Sequence, residues 1–453
     1  MEVVIGGGPG GYAAAERLAR LGREVTLVER DRLGGVCLNV GCIPSKCLIS
    51  AGRRRRLMLS SERLGLRAQG VAHDMGVTQR WMSEVVTGLR DGVAGMMRRA
   101  GVRVLSGSAS FTNAHTLMVD GRAMRFEHAV VATGSAAVQP PPGIAALNTV
   151  DSTGALALTT VPARLAVLGG GVVGMELAQA WSSLGSRVTV VELQDRILPE
   201  VDPVLAEAVL AGARRQGVEV RTGERATSWD GRRLALESGG VVEADLLLVA
   251  VGRAPLTAGL DLGAAGIEVD ETGAISVDEA CRTETPHILA IGDVTGGPYL
   301  AHRASAMAEV AAHVAAGHAR TRDWIGMPWV VFTDPEVASV GMTASQAASA
   351  GIDAVAVRFP FSAVGRALAG GSSEGFVSAL VDRRTEELLG VQIAGEEASE
   401  LIAEAGLAVE FGARIEDVLA TVHAHPTLAE GLVESLRGAA HRLARSAPAA
   451  VTA

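Results

Sequence analysis

The chain is predicted to be α/β, with one βαβ plan written twice and a separate α+β domain after it. Three observations carry this: the duplicated plan, two apolar runs that end in glycine, and a change of pattern near residue 324. In the first copy, Val3-Val4-Ile5 reads as a strand and Gly6-Gly7-Gly8-Pro9-Gly10-Gly11 as a loop. An Ala-rich helical stretch follows, then the strand Val25-Thr26-Leu27-Val28-Glu29. The second copy runs Leu165-Ala166-Val167-Leu168, Gly169-Gly170-Gly171-Val172-Val173-Gly174, a helix, then Val188-Thr189-Val190-Val191-Glu192. Both contain G-x-G-x-x-G between strand and helix, with an acidic residue 18 positions after the last glycine (29 − 11 and 192 − 174). Such glycines make a tight turn and let backbone approach a pyrophosphate at the helix N-terminus. The acidic residue suits ribose hydroxyls. One motif alone is weak; two complete copies predict two Rossmann-like units that bind two dinucleotides, or one dinucleotide twice.

The remaining elements fit around those units. Val130-Val131-Ala132-Thr133-Gly134-Ser135 and Leu246 to Arg253 are continuous apolar strands ending in glycine, the pattern of strands buried on both faces. Gln139-Pro140-Pro141-Pro142-Gly143 is a stiff breaker that suits a boundary. Beyond about 324, alternating runs (Gly375 to Val381, Leu388 to Ile393) mix with a helical one (Ala398 to Phe411), as in an α+β domain.

Composition narrows the class. Hydrophobic residues make up 48% and charged residues 20%, enough for a large core, which excludes disorder. Glycine is abundant, 55 residues, but has no three-residue period, which excludes a collagen-like chain. A strand pattern at the very start predicts no signal peptide, and no apolar run is expected to reach the roughly 18–20 residues of a membrane span. A soluble, cytoplasmic protein is expected. The net charge of −9 argues against a nucleic-acid surface. The one basic run, Arg53-Arg54-Arg55-Arg56, reads as a solvated helix face.

Four cysteines are too few for a disulfide scaffold, yet Cys37, Cys42 and Cys47 fall within eleven residues. Pro44 and Ser45 suit a helix start, which puts Cys42 at a helix N-terminus, where the dipole favours a thiolate. The spacing of Cys37 and Cys42 permits a disulfide, and no further Cys or His lies near enough for zinc, so no metal is predicted. Of 41 basic residues only Lys46 is lysine, and it lies four residues after Cys42, on the same helix face. A redox-active dithiol beside a compact cation is the better reading; buried structural cysteines are the plainer one. Cys47 points off that face and reads as core, as does Cys281.

On these residues the chain resembles the pyridine nucleotide–disulfide oxidoreductase family of flavoproteins. The likeness runs in order over essentially the whole chain: Gly6–Gly11, Gly34–Lys46, Ala132-Thr133-Gly134, Gly169–Gly174, Val251-Gly252-Arg253-Ala254-Pro255, Ala290-Ile291-Gly292-Asp293, Val331–Glu336 and His423–Glu430. It implies FAD on the first unit, held by Gly6, Gly8, Pro9 and Gly11, with Glu29 at the adenosine ribose and Asp293 at the ribityl chain. Lys46, Thr133, Gly134, Ser135, Leu300, Ala301 and His302 complete that set; Tyr12 and Tyr299 lie in the same segments. It implies NAD on the second unit, at Gly169, Gly171, Gly174, Glu192 and Gly252. Glu192 repels a 2′-phosphate, and Arg196 lies beyond the usual phosphate contact, so NAD is favoured over NADP.

The stretches Cys37–Lys46 and His423–Leu428 are similar to those of family members that oxidise protein-bound dihydrolipoyl groups. That likeness implies a redox disulfide in which Cys37 is the interchange thiol and Cys42 the thiolate against the flavin. Lys46 would pair with Glu176, and His425, oriented by Glu430, would be the base. It also implies a homodimer in which His425 serves the other subunit's site. The partner would be a lipoyl-bearing carrier subunit (an E2 or glycine-cleavage H protein), with neither nucleic acid nor membrane. The implied division is an FAD domain over 1–143, an NAD domain over 144–263, a central part returning to the FAD domain over 264–323, and a dimerisation domain over 324–453. The alternatives are a sibling NAD(P)H-dependent disulfide reductase of mycothiol or glutathione type, or chiefly an assembly subunit. A mercuric type is disfavoured because the tail has no cysteine pair. Cys47 stands where the family usually has alanine, and the Ala-rich tail from about 444 is expected to be disordered.

Overall fold

Short, mostly apolar runs build two parallel sheets whose central strands are buried, while the edge strands Arg103–Ser106 and Glu219–Arg221 are largely exposed. A computed structural model describes residues 1–144 and 147–446. The first sheet has the order Ile288–Ala290, His128–Val131, Glu2–Ile5, Val25–Glu29, Arg103–Ser106, all parallel. Helix α1 (Pro9–Arg20) joins its two central strands. Between Val25–Glu29 and Arg103–Ser106 the chain forms α2 (Gly35–Val40), α3 (Cys42–Ser60) and α4 (Met75–Arg99). The second sheet repeats the design in the order Glu219–Arg221, Arg187–Val191, Arg164–Leu168, Leu246–Val249, Thr149–Val150. The short α5 (Ser152–Leu156) precedes its central strand, α6 (Val172–Leu184) follows the second glycine loop, and α7 (Pro203–Arg215) follows the next strand. In both sheets the glycine loop opens where neighbouring strands diverge to opposite sides, the place where open α/β sheets bind ligands.

Helix α8 (Ala301–Ala315) packs along α1 through an alanine-rich seam: Ala14, Ala15 and Leu18 share one buried cluster with Met307, Ala308 and Ala311. Close approach is required there, since a Cβ on Gly10 would lie 3.3 Å from the Ala304 carbonyl oxygen. Helix α3 is moored to the second unit instead. Cys47 and Leu48 share a core with Leu177, Ala178, Trp181 and Leu184 of α6. The helix carrying Cys42 is thereby fixed against the helix that follows the second glycine loop.

After residue 324 the pattern change becomes an antiparallel sheet, ordered Trp329–Val331, Glu336–Gly341, Leu388–Gly395, Phe376–Asp382, Ala354–Pro360. Helices Ala398–Glu410 and Glu430–Ser446 cover it around Ile402, Val409, Leu432 and Leu436.

Three expectations change. Residues 444–446 finish a helix rather than begin a disordered tail, and the rest of that tail lies outside the described residues. The helical stretch 35–64 is long and apolar enough, by length and composition, to pass as a membrane span. It is broken at Gly41 and packs on α6. The basic run is not merely a solvated face. Arg53 pairs with Glu336 and Glu396, Arg56 pairs with Asp334, and Arg55 donates to the Ser183 carbonyl, so three of the four arginines tie α3 to its neighbours.

Candidate active site

Each glycine loop is shaped by backbone that a side chain would obstruct. Gly6 and Gly169 have φ of 102° and 106°, in the left-handed region. A Cβ on Gly11 would overlap the Gly6 carbonyl oxygen, and one on Gly174 would overlap that of Gly169. Gly8 and Gly171 cap α1 and α6, and Pro9 takes the first helical position of α1. The acidic residues are used identically. Glu29 Oε2 accepts from Gly7 N–H at 2.6 Å and Oε1 from Asp31 N–H at 2.8 Å. Glu192 Oε2 accepts from Gly170 N–H at 2.5 Å and Oε1 from Gln194 N–H at 2.7 Å. Each carboxylate therefore braces the loop that precedes it while keeping lone pairs to spare. These cradles fit two dinucleotides. Arg196, the only arginine close behind Glu192, donates to the carbonyls of Leu198, Pro199 and Val201 and is held in its own turn.

Around the first cradle, Asp293 sits in a short 3-10 turn, Gly292–Thr295, and accepts from Ser135 Oγ at 2.5 Å. Arg253 holds Ser135 in place through its Oγ (2.8 Å) and carbonyl (2.7 Å). Nothing in the sequence linked Arg253 to Ser135, because the pair is 118 positions apart. Thr133 Oγ1 donates to the Leu256 carbonyl, and Gly134 (φ 78°) and Gly252 (φ 132°) adopt left-handed backbone. Leu300 and Ala301 start α8, while His302 Nε2 lies 2.7 Å from the Pro328 carbonyl.

Cys37 and Cys42 form a disulfide, with Cα atoms 4.6 Å apart. They do not share one helix. The chain breaks at Gly41 (φ −135°, ψ −108°), Cys37 ends up on α2, and Cys42 opens α3, at the positive end of the helix dipole. The break lets two residues five apart face each other, which an unbroken helix would prevent. Lys46 Nζ lies 2.8 Å from Glu176 Oε2 and 4.2 Å from the centroid of the Phe332 ring. Glu176 is buried on α6, and its other oxygen accepts from Phe332 N–H at 2.9 Å. Phe332 was legible only as part of a matching stretch; no local signal marked it as touching Lys46.

His425 Nδ1 lies 2.8 Å from Glu430 Oε1, and Glu430 Oε2 accepts from Thr427 N–H at 2.9 Å. The hydrogen bond to His425, followed by that from Thr427, holds the Glu430 carboxyl below its usual 4.5. His425 is 78% exposed, and no described hydrogen bond joins it to the dithiol within the chain. His423 is engaged otherwise, with Nε2 2.5 Å from Glu404 Oε1. Cys47 and Cys281 are buried, and burial raises both thiols, Cys281 to about 11.

Two dinucleotide cradles and a disulfide at a helix N-terminus define a flavoprotein disulfide oxidoreductase. Its likeness to known proteins places it further. Residues 2–308 match the pyridine nucleotide-disulphide oxidoreductase family and residues 327–436 its dimerisation domain. The chain belongs to that family, whose cofactors are FAD and NAD(H), and the dimerisation domain supports a homodimer. It is 44% identical over 444 residues to a dihydrolipoyl dehydrogenase of Geobacillus stearothermophilus, covering 96% of this chain and 94% of that one. It is also 44% identical to dihydrolipoyl dehydrogenase 2 of Haloarcula marismortui, with 96% of each chain covered. Among solved structures it is similar to the HOCl-induced flavoprotein disulfide reductase RclA of Escherichia coli (TM-score 0.87, 30% identity, 96% and 99% covered). LpdA of Mycobacterium tuberculosis shares the fold (TM-score 0.90, 26% identity, 97% and 99% covered).

Proposed function

We propose that this enzyme oxidises protein-bound dihydrolipoyl groups to lipoyl groups and reduces NAD+ to NADH, as a component of a 2-oxoacid dehydrogenase or glycine-cleavage complex. The observation that carries the reading is the Cys37–Cys42 disulfide at the start of α3, one turn from the Lys46–Glu176 pair. The names of its relatives support it.

In this reading a dihydrolipoyl thiolate attacks Cys37 Sγ, the Cys37–Cys42 bond breaks, and Cys42 leaves as the thiolate. The second dihydrolipoyl thiol, once deprotonated, attacks the substrate sulfur bonded to Cys37, forming the lipoyl disulfide and releasing the Cys37 thiolate. His425 accepts the thiol protons, and Glu430 fixes its tautomer by taking Nδ1–H. The helix N-terminus and the Lys46 ammonium stabilise Cys42 as an anion. FAD and NAD, when bound, supply the two-electron chemistry that carries the pair from the dithiol to NAD+. Gly6, Gly8, Pro9, Gly11 and Glu29 with Asp293 would hold FAD; Gly169, Gly171, Gly174 and Glu192 would hold NAD. The braced Glu192 and the engaged Arg196 support NAD over NADP. The same proposal includes domain limits at 143, 263 and 323, a lipoyl-bearing carrier as partner, His425 acting across the dimer, and a cytoplasmic setting.

The test is the initial rate of NAD+ reduction by dihydrolipoamide with purified yellow protein, beside NADPH-driven reduction of low-molecular-weight disulfides. Fast NAD+ reduction that Cys37→Ser abolishes upholds the reading. Negligible NAD+ reduction with brisk NADPH-driven turnover sinks it and favours a reductase, the reading that the likeness to RclA supports.

A further inference from the structure

The segment after strand Trp329–Val331 is pinned to α6 at two points. Phe332 N–H donates to Glu176 Oε1 at 2.9 Å and Asp334 N–H to Gln179 Oε1 at 2.6 Å. Glu176 and Gln179 are three residues apart, hence neighbours on one helix face, and they meet the N–H groups of Phe332 and Asp334 in the bend that follows the strand. Both side chains are buried. Pinning the segment there sets the Phe332 ring over Lys46, Nζ to centroid 4.2 Å, within cation–π range. The ammonium is thus bracketed by a ring face and a carboxylate. Phe332 supplies the first and, through its N–H, steadies the second.

We propose that Phe332 is a positioning residue for Lys46, holding the ammonium on the Cys42 face of α3 and thereby sustaining the Cys42 thiolate. The inference rests on the dithiol reading above. Lysine has a flexible four-carbon stem, and a single charge partner leaves it free to swing toward solvent. The ring gives the ammonium a second fixed partner. Without it the mean position of the cation moves away from Cys42, and the thiol becomes harder to ionise.

The experiment uses Cys37→Ser holoenzyme, in which Cys42 is the remaining thiol that is not buried in the core. Its alkylation by iodoacetamide is followed from about pH 5 to about pH 10, across the thiol range. With Phe332→Leu added, the rate near pH 6 falls roughly two- to fivefold, while the rate above the thiol pKa is unchanged. Phe332→Tyr restores the profile, and Phe332→Leu has no further effect in a Lys46→Met background. An unchanged profile, an equal loss at every pH, or a loss that persists without Lys46 overturns the proposal. Should Phe332→Leu shed its flavin, Phe332→Met decides by the same criteria. An ordinary thiol profile with Phe332 intact overturns the dithiol reading and this inference together. A depressed profile that Phe332 does not influence overturns this one alone.

Discussion

At the scale of single residues, the two histidines of His423-Ala424-His425-Pro426 show how neighbours in sequence acquire different chemistry. His425 presents its ring to solvent with Nδ1 on Glu430, so Nε2 is the nitrogen left to accept a proton. His425→Ala is expected to lower kcat roughly 10²–10⁴-fold, and Glu430→Gln less, in steady-state assays with dihydrolipoamide. Because the Glu430 carboxyl is held below 4.5, the His425–Glu430 contact contributes above that pH and is lost as pH falls through the lowered value. His423 behaves oppositely. Burial opposes its charge, but Glu404 and the Thr421 carbonyl outweigh burial and raise its pKa above 6.5. Its contribution is fully present below 6.5 and fades as pH rises through the folded value. Glu404→Gln should flatten that part of the dependence of Tm on pH; an unaltered dependence would refute the pairing's role.

At the scale of elements, the two glycine loops are built alike and should fail separately. A methyl on Gly174 overlaps the Gly169 carbonyl, and one on Gly11 overlaps that of Gly6; neither obstacle is a flexible side chain, so the backbone must move. Costs of roughly 2 kcal/mol or more are ordinary for such strain. Gly174→Ala is expected to weaken NADH binding while the protein stays yellow, whereas Gly11→Ala should purify with little flavin. Loss of both cofactors from both variants would show instead that the loops serve general folding. The break at Gly41 belongs to this scale too. In an unbroken helix a residue five positions on faces elsewhere, and only the turn between α2 and α3 brings Cys37 to Cys42.

At the scale of the whole molecule, His425 is exposed and no described hydrogen bond joins it to the dithiol of its own chain. If His425 serves the partner's dithiol, mixing Cys37→Ser and His425→Ala subunits creates hybrid dimers with one intact site of two, so activity returns from two inactive proteins. Hybrids that stay inactive would put the base within its own chain. Helix α3 also ties the molecule together. Its flank packs on α6, while Arg53 and Arg56 reach Glu336, Glu396 and Asp334 beyond residue 324. The arrangement around the dithiol therefore depends on contacts among three separate sheets.

Much of this was legible in the amino-acid order because it is local. A strand, glycine turn, helix and acidic strand end lie within 28 residues, so Gly6–Gly11 with Glu29, and Gly169–Gly174 with Glu192, declare themselves; so do Cys37, Cys42 and Lys46, whereas the role of His425 with Glu430 came through family resemblance. Pairing Lys46 with Glu176 across 130 positions came only through family resemblance, although the structure places them 2.8 Å apart. The tertiary structure alone decided that Arg253 and Ser135 together support Asp293, that Arg53–Arg56 is a clasp, and that Phe332 lies over Lys46. Hydrophobic periodicity and turn chemistry act over a few residues, so sequence determines elements and the motifs within them. Contacts between elements depend on how sheets and helices close around shared cores, and that information is spread over the whole chain.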